Sequence, residues 1–240
     1  MSYRTRLYEK YASNVQGQSE KIDLTVADRW GKSYDIYLRD WLPADRDAAI
    51  LDVGCGYGRL LRFFSKWGYT NVIGVDISSE QVELARKISD NVVEGNALEF
   101  LEAHINEFDL IIALDIIEHF RKDEVMRFVD ACYSALHSGG RLVIQTPNAD
   151  SPFCLANRYG DFTHETCFNL RSLANLMKLY GFTAIEGREL GPIPCGWLSS
   201  VRWLLWKLVR LPLLAYNIIE TGSQGSNIFS RVFVASGVKQ

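Results

Sequence analysis

Leu51-Asp52-Val53-Gly54-Cys55-Gly56-Tyr57-Gly58 is the stretch that decides the fold. The apolar run from Ala49 to Val53 ends in three glycines at alternate positions, and the amphipathic segment from Tyr57 to Trp67 follows at once. Glycines at such a strand-to-helix turn let the backbone bend tightly and approach a ligand closely. A dinucleotide fingerprint would place a small residue where Arg59 stands, which weakens the nicotinamide or flavin reading. Asp52, two residues before the first glycine, favours a ligand carrying positive charge over a pyrophosphate.

The same alternation continues outward from this turn. NVIGVD is followed by SEQVELARKIS, NVVEG by ALEFLEAH, and FDLIIALD by a helix from about Lys122 to Leu136. GGRLVIQTP, a helix from about Leu170 to Tyr180, FTAIEGREL and a last strand NIFSRVFVAS complete the series. Short β-branched runs separated by helices predict an α/β, Rossmann-like, doubly wound and mostly parallel sheet, with ligands at the carboxyl ends of its strands. Residues 1–44 read as an N-terminal helical lid, rich in aromatics and charges, whose second helix covers roughly Thr25 to Asp40. Residues 45–191 form the α/β core, and residues 192–240 form an amphipathic helical insertion with the last core strand. The loop from Asn148 to Glu165 exceeds the minimal pattern and is a candidate for acceptor recognition.

Composition removes some function classes. The 240 residues carry 26 Lys and Arg against 29 Asp and Glu, a formal charge of -3, so no global field draws a polyanion and nucleic acid is not an expected partner. Cys55, Cys132, Cys154, Cys167 and Cys195 are odd in number and lack CxxC spacing. They predict a reduced, cytoplasmic chain, and the first twenty residues hold no apolar signal core.

DVGCGYG and the motifs that follow it, from Ala49 to Gly187, resemble those of class I S-adenosylmethionine (SAM) dependent methyltransferases. The resemblance implies SAM as cofactor, S-adenosylhomocysteine as product, and Asp52, Gly54, Cys55, Gly56 and Gly58 as the binding turn. It further implies that Asp76, followed by Ile77, accepts hydrogen bonds from the ribose hydroxyls. Asn96, followed by Ala97, stands where the family usually has Asp beside the adenine amino group, and an amide oxygen can still accept that bond. Leu114 and Asp115 resemble the positions whose backbone lines the methionine part.

Methyl transfer from a sulfonium needs alignment and dryness, and only an acceptor of high pKa, such as a sugar hydroxyl, needs a base. His119 in DIIEHF and His164 in GDFTHETCF are the candidate catalytic bases, with Asp161 and Glu165 placed to orient His164. His104 and His137 read as surface residues. Asp115, Glu118, His119 and His164 also offer a ligand set for a divalent metal, similar to that of some small-RNA and ubiquinone-pathway methyltransferases. Those usually carry Glu where this chain has Asp115, and a metal is not the expectation.

GWLSSVRWLLWKLVRLPLLAY, from Gly196 to Tyr216, sets an aliphatic side against a side bearing Arg202, Lys207, Arg210, Trp203 and Trp206. That pattern suits a membrane interface, or else a core-packing or dimer helix, with Pro212 ending or kinking it. TPNADSPF, GDFTHETCF and a hydrophobic segment ending in ETGS resemble bacterial methyltransferases associated with cell-surface polysaccharide synthesis. The resemblance implies O-methylation of a sugar, on a lipid-linked glycan at the cytoplasmic face of the inner membrane. An O-methyltransferase of quinone synthesis, to which DIIEHF is similar, is the alternative. A SAM-binding partner subunit without transferase activity is the reading from another class. The oligomeric state stays open.

Overall fold

A computed structural model describes residues 23–240, together with Leu7, which is helical. The remainder of the first helix expected before Thr25 lies outside the described residues. Helix α1 (Leu24–Tyr37) leads into β1 (Ile50–Val53), α2 (Arg59–Lys66), β2 (Val72–Asp76), α3 (Ser79–Ala85), β3 (Val92–Glu94), α4 (Ala97–Ala103) and β4 (Phe108–Leu114). A 3₁₀ turn (Ile117–His119), α5 (Lys122–Ala135), β5 (Leu136–Pro147), α6 (Cys154–Arg158), α7 (Leu170–Leu179), β6 (Phe182–Glu189), α8 (Trp197–Thr221) and β7 (Val232–Lys239) follow.

The strands form one sheet in the order β3-β2-β1-β4-β5-β7-β6. β1 to β5 pair in parallel, and β7 runs antiparallel between β5 and β6. This is the class I methyltransferase fold, a Rossmann-like α/β sheet. Strand order reverses between β1 and β4, so the crevice beyond their carboxyl ends is the natural ligand site. Both faces are covered, which explains why the central strands are mostly apolar: all four residues of β1 are buried, and Asp52 is the one polar side chain among them. One face packs Phe128, Leu173, Met177 and Phe182 from α5, α7 and β6. The other packs Phe63 and Phe64 of α2, Val82 and Ala85 of α3, and Tyr34 of α1.

Close approach of α2 to the sheet is fixed at Gly74, which pairs with Asp52. A Cβ at Gly74 would stand 2.9 Å from Cys55 Sγ and 3.0 Å from Leu61 Cδ1. Gly74→Ala is therefore expected to destabilise the protein by about 1–3 kcal/mol, measured by urea unfolding; an unchanged midpoint would show that α2 can shift at no cost.

Three boundaries differ from expectation. Pro212 does not end α8, which continues to Thr221. Proline withholds one N–H from the carbonyl of Leu208, and Leu208 is exposed, so water can replace that bond. β7 begins at Val232 rather than at Asn227, because the backbone before it is bonded by side chains instead of by a strand. Asn148 Nδ2 donates to the carbonyls of Ile228 and Ser230, and Glu189 Oε1 accepts from Phe229 N and Ser230 N. β5 starts three residues before the expected Gly139, directly where α5 ends.

α1 is held on two sides. Asp28 accepts from Arg62 Nε at 2.6 Å and Trp67 Nε1 donates to Asp35 at 2.6 Å, both from the α2 side. Tyr37 donates to the carbonyl of Gly191 at 2.6 Å beyond β6.

Candidate active site

A cleft of about 580 Å³ opens where the strand order reverses. It is lined by Asp52, Gly54, Cys55 and Gly56 of the first turn, by Asp76 and Ile77 after β2, by Asn96 and Ala97, by Leu114 and Asp115, and by His119. Ten of the predicted cofactor residues thus converge on one cavity. Gly58, the eleventh, does not line it. Its φ of 89° caps the start of α2 in the left-handed region, and a Cβ there would stand 3.4 Å from Ala85. Gly58 therefore serves the packing of α2 on α3.

Gly54 and Cys55 both donate their N–H to the carbonyl of Val75, at 2.8 and 3.0 Å, which folds the turn back across the end of β2. Gly54 has φ of 71°, and a Cβ there would come within 2.9 Å of Ile116 Cδ1. Asp76 Oδ2 accepts from Gly56 N and its Oδ1 from Ser78 N, each at 2.9 Å. Each oxygen keeps a lone pair for a ligand hydroxyl. Burial raises the Asp76 pKa, with the backbone N–H bonds opposing that shift.

Asp52 supplies the sharpest electrostatic observation. Its Oδ2 is buried with no hydrogen-bond partner in the protein, and burial followed by repulsion from Asp76 pushes its pKa well up. A buried carboxylate without a partner is costly, and a cationic ligand group relieves that cost. The orphaned oxygen, the glycine turn and the two free lone pairs of Asp76 fit SAM, which carries an ammonium, a sulfonium and a ribose diol.

The sign of the pH dependence follows. The raised Asp52 pKa contributes stability fully present below its unfolded value, near 3.9, and lost as pH rises toward the folded one. Without SAM, Asp52→Asn is expected to raise the melting temperature at neutral pH by about 2–6 °C, with the gain shrinking on acidification toward pH ~4. The same variant is expected to lose about tenfold in SAM affinity. Melting scans across pH check the first part; a neutral-pH destabilisation in Asp52→Asn would contradict it.

Asn96 is the N-cap of α4, its Oδ1 accepting from Leu98 N at 2.9 Å and Glu99 N at 3.4 Å. The oxygen expected to receive the adenine amino group is thus already engaged, and Asn96 offers a ligand its amide N–H₂ instead.

Tyr34, Gln145 and Thr163 were not singled out by sequence. Tyr34 donates to Gln145 Oε1 at 2.5 Å, and Gln145 Nε2 donates to Asp115 Oδ2 at 2.7 Å. This chain ties α1 to the tip of β4, where Asp115 has a φ of 53°. Burial raises the Tyr34 pKa far above its ordinary value, so it remains a donor. Trp30, tilted against Tyr34 with ring centroids 3.9 Å apart, and Arg59, over Trp30 and Tyr57, complete that wall.

His119 and His164 meet edge-on, with ring centroids 4.7 Å apart. His119 lines the cleft and His164 does not. The acidic support expected for His164 goes to His119: Asp161 Oδ1 accepts from Thr163 Oγ1 at 2.6 Å, and Thr163 Oγ1 lies 2.8 Å from His119 Nδ1. Because the hydroxyl proton is given to the carboxylate, Nδ1 of His119 carries the proton donated to Thr163. His164 Nδ1 donates instead to the carbonyl of Asn157 at 2.9 Å. Glu118 is buried, accepts from Thr146 Oγ1 at 3.0 Å, and offers its carbonyl to Glu165 N and Thr166 N. It thereby fastens the end of the loop from Asn148 to Glu165 to the end of β4. Among the described residues, Glu118, His119 and His164 bring ligand atoms within 4.8 Å of one another; Asp115 is not in that group.

Fold and cleft together define a class I SAM-dependent methyltransferase domain. Residues 27–186 match the family model described as a methyltransferase domain, and the chain belongs to that family. It is similar to the mitochondrial ubiquinone biosynthesis O-methyltransferase of Rattus norvegicus, 35% identical over 109 residues that cover 41% of this chain and 30% of that protein. The chain spans about a third of the length of this relative and of its Dictyostelium discoideum counterpart. Among solved structures, a SAM-dependent methyltransferase from Archaeoglobus fulgidus aligns with a TM-score of 0.66 and 21% identity, covering 99% of this chain and 100% of that one. Haemonchus contortus phosphoethanolamine N-methyltransferase 2, solved with SAM, aligns at 0.59 and 18%, covering 97% of this chain and 60% of that one.

Proposed function

We propose that the protein is an O-methyltransferase that transfers the methyl group of SAM to an aliphatic hydroxyl, a sugar of a lipid-linked glycan, with His119 as general base. SAM, when bound, supplies a methyl group already activated by its sulfonium. The protein's own task is to align the acceptor oxygen, exclude water and take the proton. His119 Nε2 is the atom suited to receive that proton, since Nδ1 is committed to Thr163 and Asp161. This relay is the observation that carries the proposal. A sugar hydroxyl has a high pKa and gains most from an oriented base, whereas a carboxylate or a ready amine gains little. Trp30, Tyr34 and Phe120 add aromatic walls to the cleft.

His164 supports the ring of His119 from the side. His164→Ala is expected to leave SAM affinity within about threefold of wild type and to lower turnover by about tenfold. Equal losses in His164→Ala and His119→Ala, measured with the same acceptor, would move the base to His164.

The second reading is a quinone-type phenol as acceptor, favoured by the similarity to ubiquinone O-methyltransferases. Incubation with methyl-labelled SAM and two acceptor pools separates them: bacterial glycolipids with nucleotide sugars, and quinone precursors. Label in the sugar pool supports the proposal, and label only in the quinone pool overturns it. Labelling of neither pool despite SAM binding favours a non-catalytic SAM-binding subunit. A chelator arm addresses metal, because Glu118, His119 and His164 bring ligand atoms within 4.8 Å of one another and an ion there would engage the proposed base. Transfer that persists with chelator is the expected result.

A further inference from the structure

We propose that α8 is a docking surface for an anionic lipid bilayer, on which the protein lies peripherally. No residue of α8 is buried, although it spans 25 residues. The core-packing role open from sequence is thereby excluded. Among the described residues, the helix is held by side-chain bonds along one stripe. Trp206 Nε1 donates to Glu189 Oε2 at 3.1 Å, Arg210 pairs with Glu189 at 3.3 Å, and Arg210 also donates to the carbonyl of Asn227 at 2.9 Å.

At 100° per residue, the exposed Leu198, Leu204, Leu205, Leu208, Leu211 and Ile219 centre roughly opposite this anchored stripe. Arg202 and Lys207 fall at roughly 110° to either side of that apolar centre. An outward apolar face bordered on both flanks by cations matches a helix lying in a membrane plane. Its leucines enter the acyl boundary while Arg202 and Lys207 reach the headgroups. From Trp197 to Ile219 the helix carries no Asp or Glu, so the charge complements an anionic surface. Trp197, 76% exposed, and Tyr216, 61% exposed, are side chains suited to that depth. No helix among the described residues is long and apolar enough to cross a membrane, in keeping with a surface contact.

The loop from Asn148 to Glu165 is tied to the segment that follows this helix. Ser226 Oγ donates to Asp150 Oδ2, and Asn157 Nδ2 to the carbonyl of Arg231. The loop exposes Phe153 at 61%, Tyr159 at 73% and Phe162 at 84%. The inference stands on α8 and holds whichever hydroxyl is methylated.

The test is co-sedimentation of the full chain with vesicles of pure phosphatidylcholine and of phosphatidylcholine mixed with phosphatidylglycerol. Preferential binding to the anionic vesicles is expected, weakened at least about tenfold in ~0.5 M salt. Leu204→Glu with Leu208→Glu is expected to weaken it by at least tenfold, and Arg202→Gln with Lys207→Gln by several-fold. SAM affinity, measured on the same preparations, should be unchanged, which separates loss of docking from loss of the fold. Wild-type protein that ignores anionic vesicles overturns the proposal. So does a dimer in light scattering that Leu204→Glu with Leu208→Glu splits, since the face then belongs to a second copy.

Discussion

Asp76→Ala is expected to weaken SAM binding by about two orders of magnitude. Its carboxylate lines the cleft and holds the glycine turn through Gly56 N and the segment after β2 through Ser78 N, and it is the group expected to receive the ribose hydroxyls. Each hydrogen bond to a charged acceptor contributes about 1.5–3 kcal/mol, and two such bonds account for the hundredfold or more. Loosening of the turn adds to the loss. Asp76→Asn keeps the shape and one acceptor oxygen, so its deficit should fall between wild type and Asp76→Ala. The unliganded protein should change little in stability, because removal of a buried carboxyl with a raised pKa offsets the two lost backbone bonds. Calorimetric titration with SAM measures the affinities, and thermal melts measure the rest.

The second large effect falls on turnover. His119→Ala is expected to lower kcat by about 10²–10⁴ while SAM affinity stays within a few-fold, since proton removal accounts for a contribution of that size. Thr163→Val leaves His119 in place but removes the oxygen to which Nδ1 donates, and the tautomer with Nε2 deprotonated loses its preference. A fall in kcat of about tenfold or more, with KM little changed, is expected for Thr163→Val. Thr163→Ser restores the oxygen and should restore most of the rate. A merely structural role for Thr163 would show instead as a lowered melting temperature that Thr163→Ser does not separate from activity.

Much of the molecule was legible in the sequence, for identifiable reasons. Residues whose place follows from local chain geometry line the cleft as expected: the glycine turn at 54–56, Asp76 at the end of β2, Leu114 and Asp115 at the end of β4. In each case the strand end fixes the position, and the spacing along the chain reports it. What stayed hidden depends on contacts between distant segments. Tyr34 and Gln145 are 111 residues apart and meet only because α1 lies across the end of the sheet. Asp161 sits nearer His164 in sequence, yet the turn in which Thr163 N and Oγ1 both bond Asp161 directs the hydroxyl to His119. That Asp-x-Thr spacing is a readable signal for the turn but not for its partner. Gly58 shared the alternation of Gly54 and Gly56, although its neighbour is Ala85 rather than a ligand. On α8, periodicity identified the aliphatic side correctly, but Glu189, which draws Trp206 and Arg210 inward, belongs to β6. Only the folded chain shows that the aliphatic side is the outward one.

Calorimetric titration of SAM into the full chain at neutral pH tests the central claim most directly. One-to-one binding with a dissociation constant on the order of micromolar, lost by about a hundredfold in Asp76→Ala, is the expected result. Wild-type protein that binds no SAM, or an Asp76→Ala variant that binds it undiminished, would contradict the assignment of this cleft.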